Sequence, residues 1–298
     1  MNQLSSSEAV LNRFPGFGEN KLVLSDKSFA VWRQFIYDNC GIYFQDNKKY
    51  LLESRLQKRI NLLGLNSFEE YYSFITSNGN SLREKKYLYE AITINETYFF
   101  RNPPQFDALI SNILPEIIQN KKGLFKNKIR IWSAASSSGE EPYTMAILIK
   151  EMIKPKYPNI EFEIVGTDIN KSVIETAQKG IYKEYSIRNT PEYFLRKYFQ
   201  ANNGRYQIQP DIHKMTSFKL LNLYNPIDMK SMFNFDVIFC ANVLIYFDVQ
   251  SKIKVVSRLY DALNNGGYLF IGYSETLHGI SKAFRLVSFP KTIGYKKD

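Results

Sequence analysis

Inside "FDVIFCANV" the residues Val237, Ile238, Phe239 and Cys240 form an unbroken apolar run. A strand with one wet face alternates apolar with polar residues, so a continuous run predicts a strand covered on both faces, as in a parallel sheet. Parallel neighbours need long crossover connections, usually helical. The chain supplies them. "NKIRIWSAA" and "EFEIVGTDI" read as short strands that each lead towards a turn and a helix, and "TSFKLLNLY" and "GGYLFIGY" complete a set of five. Strands alternating with helices predict a doubly wound α/β domain. "FRLVSFPKTIGYKK" adds a closing pair of edge strands.

Ahead of this domain, from Ser25 to Ile92, the periodicity is helical. Phe29, Trp32 and Ile36 recur at helical spacing, and Gly41 reads as a stop. In "YLLESRLQKRINLLGL" Leu52, Leu56, Ile60 and Leu63 share a face that Gly64 closes. Arg55, Lys58 and Arg59 flank that face as a basic stripe. Ser67 with Glu70, and Ser81 with Glu84, fit the capping box. The expected organisation is a loose tail over residues 1–24, a small helical domain over 25–92 and the α/β domain over 93–298. Some 35 residues after "SVIETAQKG" hold one short helical piece and a hairpin around Asn203-Gly204. That is too long for a plain crossover, so an inserted subdomain is expected at about 181–215.

Composition narrows the function. The two cysteines, Cys40 and Cys240, lie far apart, which favours a reducing compartment. The N-terminus lacks a signal-peptide core. The most apolar stretch, "VIFCANVLIYF", is far shorter than the roughly 20 residues that span a bilayer. A soluble, cytoplasmic, monomeric protein without membrane insertion is expected. A net charge of +10 favours acidic partners, or simply keeps the surface solvated. His213 and His278 are the only histidines, so a metal site or a Cys-His nucleophile is not expected, and no general base stands out.

The chemistry gathers at strand ends. "WSAASSSGEEPYTMA" places small residues and Gly139 at a strand-to-helix turn, where a ligand can approach the backbone. No Lys or Arg is there to hold phosphate. Glu140 and Glu141 instead open the helix, either as complements to its dipole or as a seat for a cationic group. Asp168 ends the second strand, placed to accept ribose hydroxyls or to cap the next helix. A ribose site with no phosphate site describes S-adenosylmethionine better than a dinucleotide. Asn242 ends the fourth strand, and Tyr246 follows one helical turn later.

Together these segments resemble the CheR family of chemoreceptor glutamate O-methyltransferases. The matching blocks are "GIYFQDNKKYLLESRLQKRI", "ITINETYFFRNPPQF", "IRIWSAASSSGEEPYTMA", "VGTDIN", "LLNLY", "FDVIFCANVLIYFD" and "GGYLFIGYSETL". They run in family order from about residue 27 to the C-terminus. The resemblance implies a Rossmann-like class I methyltransferase domain behind the helical one. It implies that S-adenosyl-L-methionine is bound across the strand ends and leaves as S-adenosyl-L-homocysteine. Asn95, Thr97 and Arg101 would contact the cofactor or approach the reactive centre, and Glu140 or Glu141 would take its ammonium. Asp168 would hold the ribose, Asn222 and Leu223 would lie beside the adenine, and Ala241, Asn242 and Tyr246 would line the transfer site. The insert looks like the family's receptor-facing β-subdomain. Arg55, Lys58 and Arg59 look like the helix that meets the acidic methylation helices in the cytoplasmic domain of chemoreceptors.

One departure stands out. The family usually carries Arg-Asn where this chain has Ala241-Asn242, which removes a fixed charge and up to five donors. The acceptor would be a glutamate side chain, ionised at neutral pH and in need of no base. Arg101 would orient it and Tyr246 would hydrogen-bond to it. "NETYFFR" then reads as a cofactor lid at the domain junction, with its aromatics packing the hinge. Two other readings compete. The basic, aromatic insert would suit a nucleic-acid methyltransferase, although no nucleic-acid-binding module is recognisable. Ala241 would also suit a regulatory protein that binds the cofactor without turnover.

Overall fold

The computed structural model describes residues 22–77, 79–121 and 127–298. Four helices form the N-terminal unit: α1 Asp26–Cys40, α2 Lys49–Leu63, α3 Phe68–Thr76 and α4 Ser81–Ile92. Ser25 caps α1 by accepting the Ser28 N–H, and Gly41 ends it at φ 74°. Trp32, Leu52, Leu56, Ile60, Tyr71 and Leu88 pack the centre, and the Trp32 indole donates to the Phe68 carbonyl at 3.1 Å. Leu24 is buried and its N–H donates to Glu53 at 2.8 Å, so the packed chain reaches back into the expected tail. The rest of that tail, residues 1–21, lies outside the described residues.

The two expected capping boxes part company. The Ser67 hydroxyl accepts the Glu70 N–H, and the Glu70 carboxylate reaches back to the Asn66 N–H. At α4 the cap position is Asn80, and Glu84 turns inward. Its carboxylate accepts Arg59 Nε at 2.6 Å, Arg59 Nη2 at 2.8 Å and the Tyr71 hydroxyl at 2.9 Å. A buried carboxylate needs a bidentate cation more than a helix end needs a cap. The basic stripe is corrected by the same contact. Arg59 is committed to Glu84, Arg55 donates to the Ile92 carbonyl at 2.6 Å, and of the three only Lys58 stands exposed.

The second unit opens with α5 Pro103–Ala108, which continues through a π turn at Leu109–Ile113 into α6 Leu114–Asn120. Strand β1 Lys128–Ala134 leads to α7 Glu140–Leu148, and β2 Glu161–Asp168 to α8 Lys171–Lys179. The insert contains β3 Ile181–Lys183, α9 Glu184–Ile187, α10 Glu192–Tyr198, β4 Phe199–Asn202, β5 Arg205–Ile208 and α11 Pro210–His213. The chain returns through β6 Thr216–Leu220, α12 Pro226–Met229, β7 Phe235–Cys240, α13 Val249–Ala262, β8 Leu263–Ile271, β9 Phe284–Phe289 and β10 Thr292–Lys297.

The large sheet has the order β6-β2-β1-β7-β8-β10-β9. Its first five strands are parallel, and β10 and β9 run antiparallel at the end. Every residue of β7 is buried, as its apolar run requires. Of the expected pair of edge strands, only β9 is an edge, because β10 pairs with β8 on its other side. The insert forms a separate sheet, β3-β5-β4. Asn203 and Gly204, at φ 48° and 70°, turn its hairpin, and three short helices stand where the sequence showed one.

The two units are tied together. Asn222 donates from its amide to the Asn39 carbonyl at 2.7 Å, and the Tyr43 N–H donates to the Tyr246 carbonyl at 3.0 Å. A Cβ on Gly41 would stand 2.5 Å from the Tyr224 ring, so only glycine admits this approach. Glu84→Ala is expected to destabilise the helical unit by about 3 kcal/mol in urea titration, because the Arg59 charge is left partly buried without its partner. Lys58→Ala is expected to leave the midpoint unchanged.

Candidate functional site

Parallel strands deliver their carboxyl ends to one edge, and the order reverses between β1, which continues to β2 and β6, and β7, which continues to β8. Ligands in open α/β sheets bind at such a switch point. A cavity of about 330 Å³ lies there, closed on one side by residues 92–98, Arg101 and Asn102 and by the end of α1. That is the size range of small-molecule sites.

The segment containing residues 95–101 is held in an unusual conformation. Phe100 and Asn102 sit at φ 58° and 61°, which for a bulky side chain persists only when packing over-determines it. The packing comes from the insert. Phe99 lies edge-on to Tyr182 and Phe199, with centroids at 4.8 and 4.9 Å, and Phe100 stacks on Phe194 at 5.2 Å. The aromatics therefore grip the insert rather than pack a hinge to the helical unit. Asn95, Thr97 and Arg101 line the cavity, and Arg101 Nη1 donates to the Glu96 carbonyl at 2.7 Å.

The turn from β1 into α7 holds Ala135, Ser137 and Gly139 at positive φ. A Cβ on Gly139 would meet Ala177 at 2.8 Å. Asp168, at the end of β2, accepts the Ser137 N–H at 3.0 Å and the Asn170 N–H at 2.9 Å. Burial pushes its carboxyl up to about 6 against these donors. The Ser137 hydroxyl donates onward to the Asn95 carbonyl at 3.0 Å. Ser136 borders the cavity, but its hydroxyl is buried without a partner, packed against Gly166 of β2.

The choice between the two glutamates is made by direction. Both Glu140 oxygens accept the Ser138 hydroxyl, and the residue does not border the cavity. Glu141 does. It accepts the Ser133 hydroxyl at 2.7 Å, and burial pushes its carboxyl up to about 7, opposed by Ser133 and by the Arg101 charge.

Asn222 and Leu223 border the cavity with Leu221 and Ile169, but the Asn222 amide is committed, donating to Asn39 and accepting the Tyr224 N–H. Asn222 is thus a wall, not a free polar group. Ala241, Asn242 and Tyr246 complete the lining. Burial raises the Tyr246 phenol, and the nearby Arg55 and Arg101 charges oppose that shift. Arg55, Lys58 and Arg59 lie outside the lining. Sequence reasoning passed over Glu275. Its carboxylate accepts the N–H groups of Asn242 at 3.0 Å, Ile245 at 3.1 Å and Gly272 at 2.5 Å, which pins the loop carrying Asn242 and Tyr246. Its only signal was a lone acid just after the apolar strand in "GGYLFIGYSETL".

Two family models match the chain: the all-alpha domain of CheR methyltransferase over residues 27–93, and the SAM binding domain of CheR methyltransferase over residues 95–293. The chain belongs to the CheR methyltransferase family. It is 37% identical to chemotaxis protein methyltransferase 2 of Vibrio cholerae, over 93% of this chain and 95% of that protein. It is 39% identical to the chemotaxis protein methyltransferase of Borreliella burgdorferi, over 83% of this chain and 87% of that one. As a CheR protein it is an S-adenosylmethionine-dependent methyltransferase, and receptor glutamates are the acceptors of such enzymes.

The lining suits that cofactor. A carboxylate at Glu141 matches an ammonium, Asp168 keeps lone pairs for ribose hydroxyls, and Ile169, Leu221 and Leu223 form an apolar wall. Among the described residues no cluster of His, Cys, Asp or Glu is arranged for a metal, and no helix is long and apolar enough to cross a membrane.

The raised Glu141 carboxyl carries a pH prediction. The folded chain holds this proton up to about pH 7, whereas an unfolded glutamic acid releases it near its ordinary 4.5. Across that interval the unfolded state binds fewer protons, so stability falls as pH rises. Glu141→Gln should therefore gain thermal stability relative to the native chain between pH 5 and pH 8. A cation needs the ionised form, so calorimetric affinity for S-adenosylmethionine should rise through the same window and flatten in Glu141→Gln.

Proposed function

We propose that this enzyme methylates glutamate side chains on the acidic methylation helices of a chemoreceptor's cytoplasmic domain, working as a cytoplasmic monomer. The observation that carries the reading is the convergence on one cavity of Glu141, Asp168, Arg101 and Tyr246. The first two are suited to a nucleoside with an ammonium group, the last two to an incoming carboxylate.

When bound, S-adenosylmethionine supplies a methyl group on a sulfonium that is its own leaving group. Glu141 holds the ammonium, Asp168 the ribose hydroxyls, and the wall of Ile169, Leu221, Asn222 and Leu223 receives the adenine. Asn95, Thr97 and Ala241 close around the cofactor, and the Asn242 amide faces the transfer region. The acceptor glutamate is ionised at neutral pH, so no base is required, and the lack of a histidine among the lining residues is no handicap. Arg101 attracts and orients that carboxylate, and the Tyr246 phenol, neutral at this pH and made still harder to ionise by burial, donates to it. Orientation of the reacting groups is the main task left to the protein, and it is worth several kcal/mol.

The other cations have a supporting role. Lys58 is free to meet the acidic helices. Arg55, tied to the Ile92 carbonyl beside Tyr246, extends the positive potential towards the mouth, whereas Arg59 holds the fold. Among the described residues none lining the cavity replaces the guanidinium missing at Ala241, so Arg101 is the cation of the lining.

The test is transfer from methyl-labelled S-adenosylmethionine to receptor cytoplasmic fragments, read as methanol released by alkali, since carboxyl methyl esters hydrolyse under conditions that spare methylated bases. Arg101→Ala is expected to lower transfer about a hundredfold, the scale of a lost charge stabiliser, with cofactor affinity changed only a few-fold. Full transfer in Arg101→Ala, or label that survives alkali, would overturn the assignment.

A further inference from the structure

Arg188 lies in the insert, at the C-terminal end of α9, and none of the roles above involves it. Its guanidinium carbon stands 3.8 Å from the Tyr98 ring centroid and 3.7 Å from that of Tyr185. Both distances fall well inside the range of about 6 Å for cation–π attraction. The cation is thus sandwiched between a ring of the insert and a ring of the cavity-lining segment. Arg188 Nη1 also donates to the Tyr185 carbonyl at 2.5 Å, and Nη2 lies 3.9 Å from Glu96 Oε1. The Tyr185 hydroxyl donates to that same oxygen at 3.2 Å.

Glu96 and Tyr98 are also the residues that seat Arg101. The Glu96 carbonyl accepts Arg101 Nη1 at 2.7 Å, and the Tyr98 ring lies 5.6 Å from the Arg101 guanidinium. Arg188 therefore stacks on one support of Arg101, Tyr98, and with Tyr185 flanks the carboxylate of the other, Glu96. The ion pair at 3.9 Å is long and its Glu96 partner is 59% exposed, so it contributes little by itself. The double stack is the stronger element, and it needs a planar guanidinium rather than an ammonium.

We propose that Arg188 is a positioning residue for methyl transfer: clamped between Tyr98 and Tyr185, it fixes Glu96 and Tyr98 and thereby keeps the Arg101 guanidinium directed into the cavity. This rests on the role assigned to Arg101. It makes the insert part of the catalytic unit as well as an outer surface.

The experiment is a double-mutant cycle on the full chain, with single-turnover transfer to a receptor fragment under enzyme excess and thermal melts of every variant. Arg188→Ala is expected to slow transfer about tenfold with Arg101 present, within the coupling range of residues that act together. Arg188→Lys should recover less than about threefold, because the stack is lost. In an Arg101→Ala background, or Arg101→Lys if transfer is otherwise too slow to time, Arg188→Ala should cost less than about twofold more. An equal loss in both backgrounds would refute the positioning role and leave that of Arg101 standing, as would no loss with Arg101 present. Unchanged transfer in Arg101→Ala alone would remove both.

Discussion

At the end of β2 the Asp168 carboxylate accepts the Ser137 N–H, and the Ser137 hydroxyl donates in turn to the Asn95 carbonyl. This short relay joins three pieces of chain that are remote in sequence: the turn after β1, the end of β2 and the segment that covers the cavity. It is possible because β1 and β2 are parallel neighbours in register, Ala134 beside Thr167, so their carboxyl ends emerge together. The relay also explains why Asp168 is both desolvated and useful. Burial raises its proton affinity, two backbone donors hold it in place, and lone pairs remain for a ligand.

Two further supports surround this centre. On one side the helical unit closes the cavity, through the Asn222–Asn39 hydrogen bond and the close seating of Gly41 against Tyr224. On the other the insert holds Phe99 and Phe100 by ring packing and draws the Phe99 N–H to the Ser186 carbonyl at 2.9 Å. The positive φ at Phe100 is sustained by these contacts and by its N–H bond to Thr144 at 3.1 Å. A site that needs no proton transfer can be built from such positioning contacts alone. That accords with a lining of carboxylates, amides, one guanidinium and two phenols.

The parts of the fold that were legible are those where a local pattern has one physical solution. The run from Val237 to Cys240 can only be buried on both faces, Gly41 and Gly64 end helices that their neighbours cannot end, and Asn203-Gly204 suits a tight hairpin turn. Misreadings occurred where a residue had a local and a distant option. Glu84 could cap α4 or neutralise Arg59, and the interior decided for Arg59. Asn222 lines the cavity as its position suggested, and the structure adds that its amide ties the two units through Asn39. Glu275 was invisible because its three donors are backbone N–H groups, two of them about thirty residues away.

By itself the sequence determined the strand order of chemistry: which short strands exist, that they are parallel, and that Asp168, Asn242 and the Gly139 turn stand at their carboxyl ends. Those facts follow from periodicity, and periodicity is local. Only the tertiary structure decided which of two adjacent glutamates faces the cavity, which cation of the α2 stripe stays free, and that the aromatics of "TYFF" grip the insert. Each of these is a choice between partners distant in sequence. Burial settles it, because a charge or a ring takes the neighbour that packing leaves beside it.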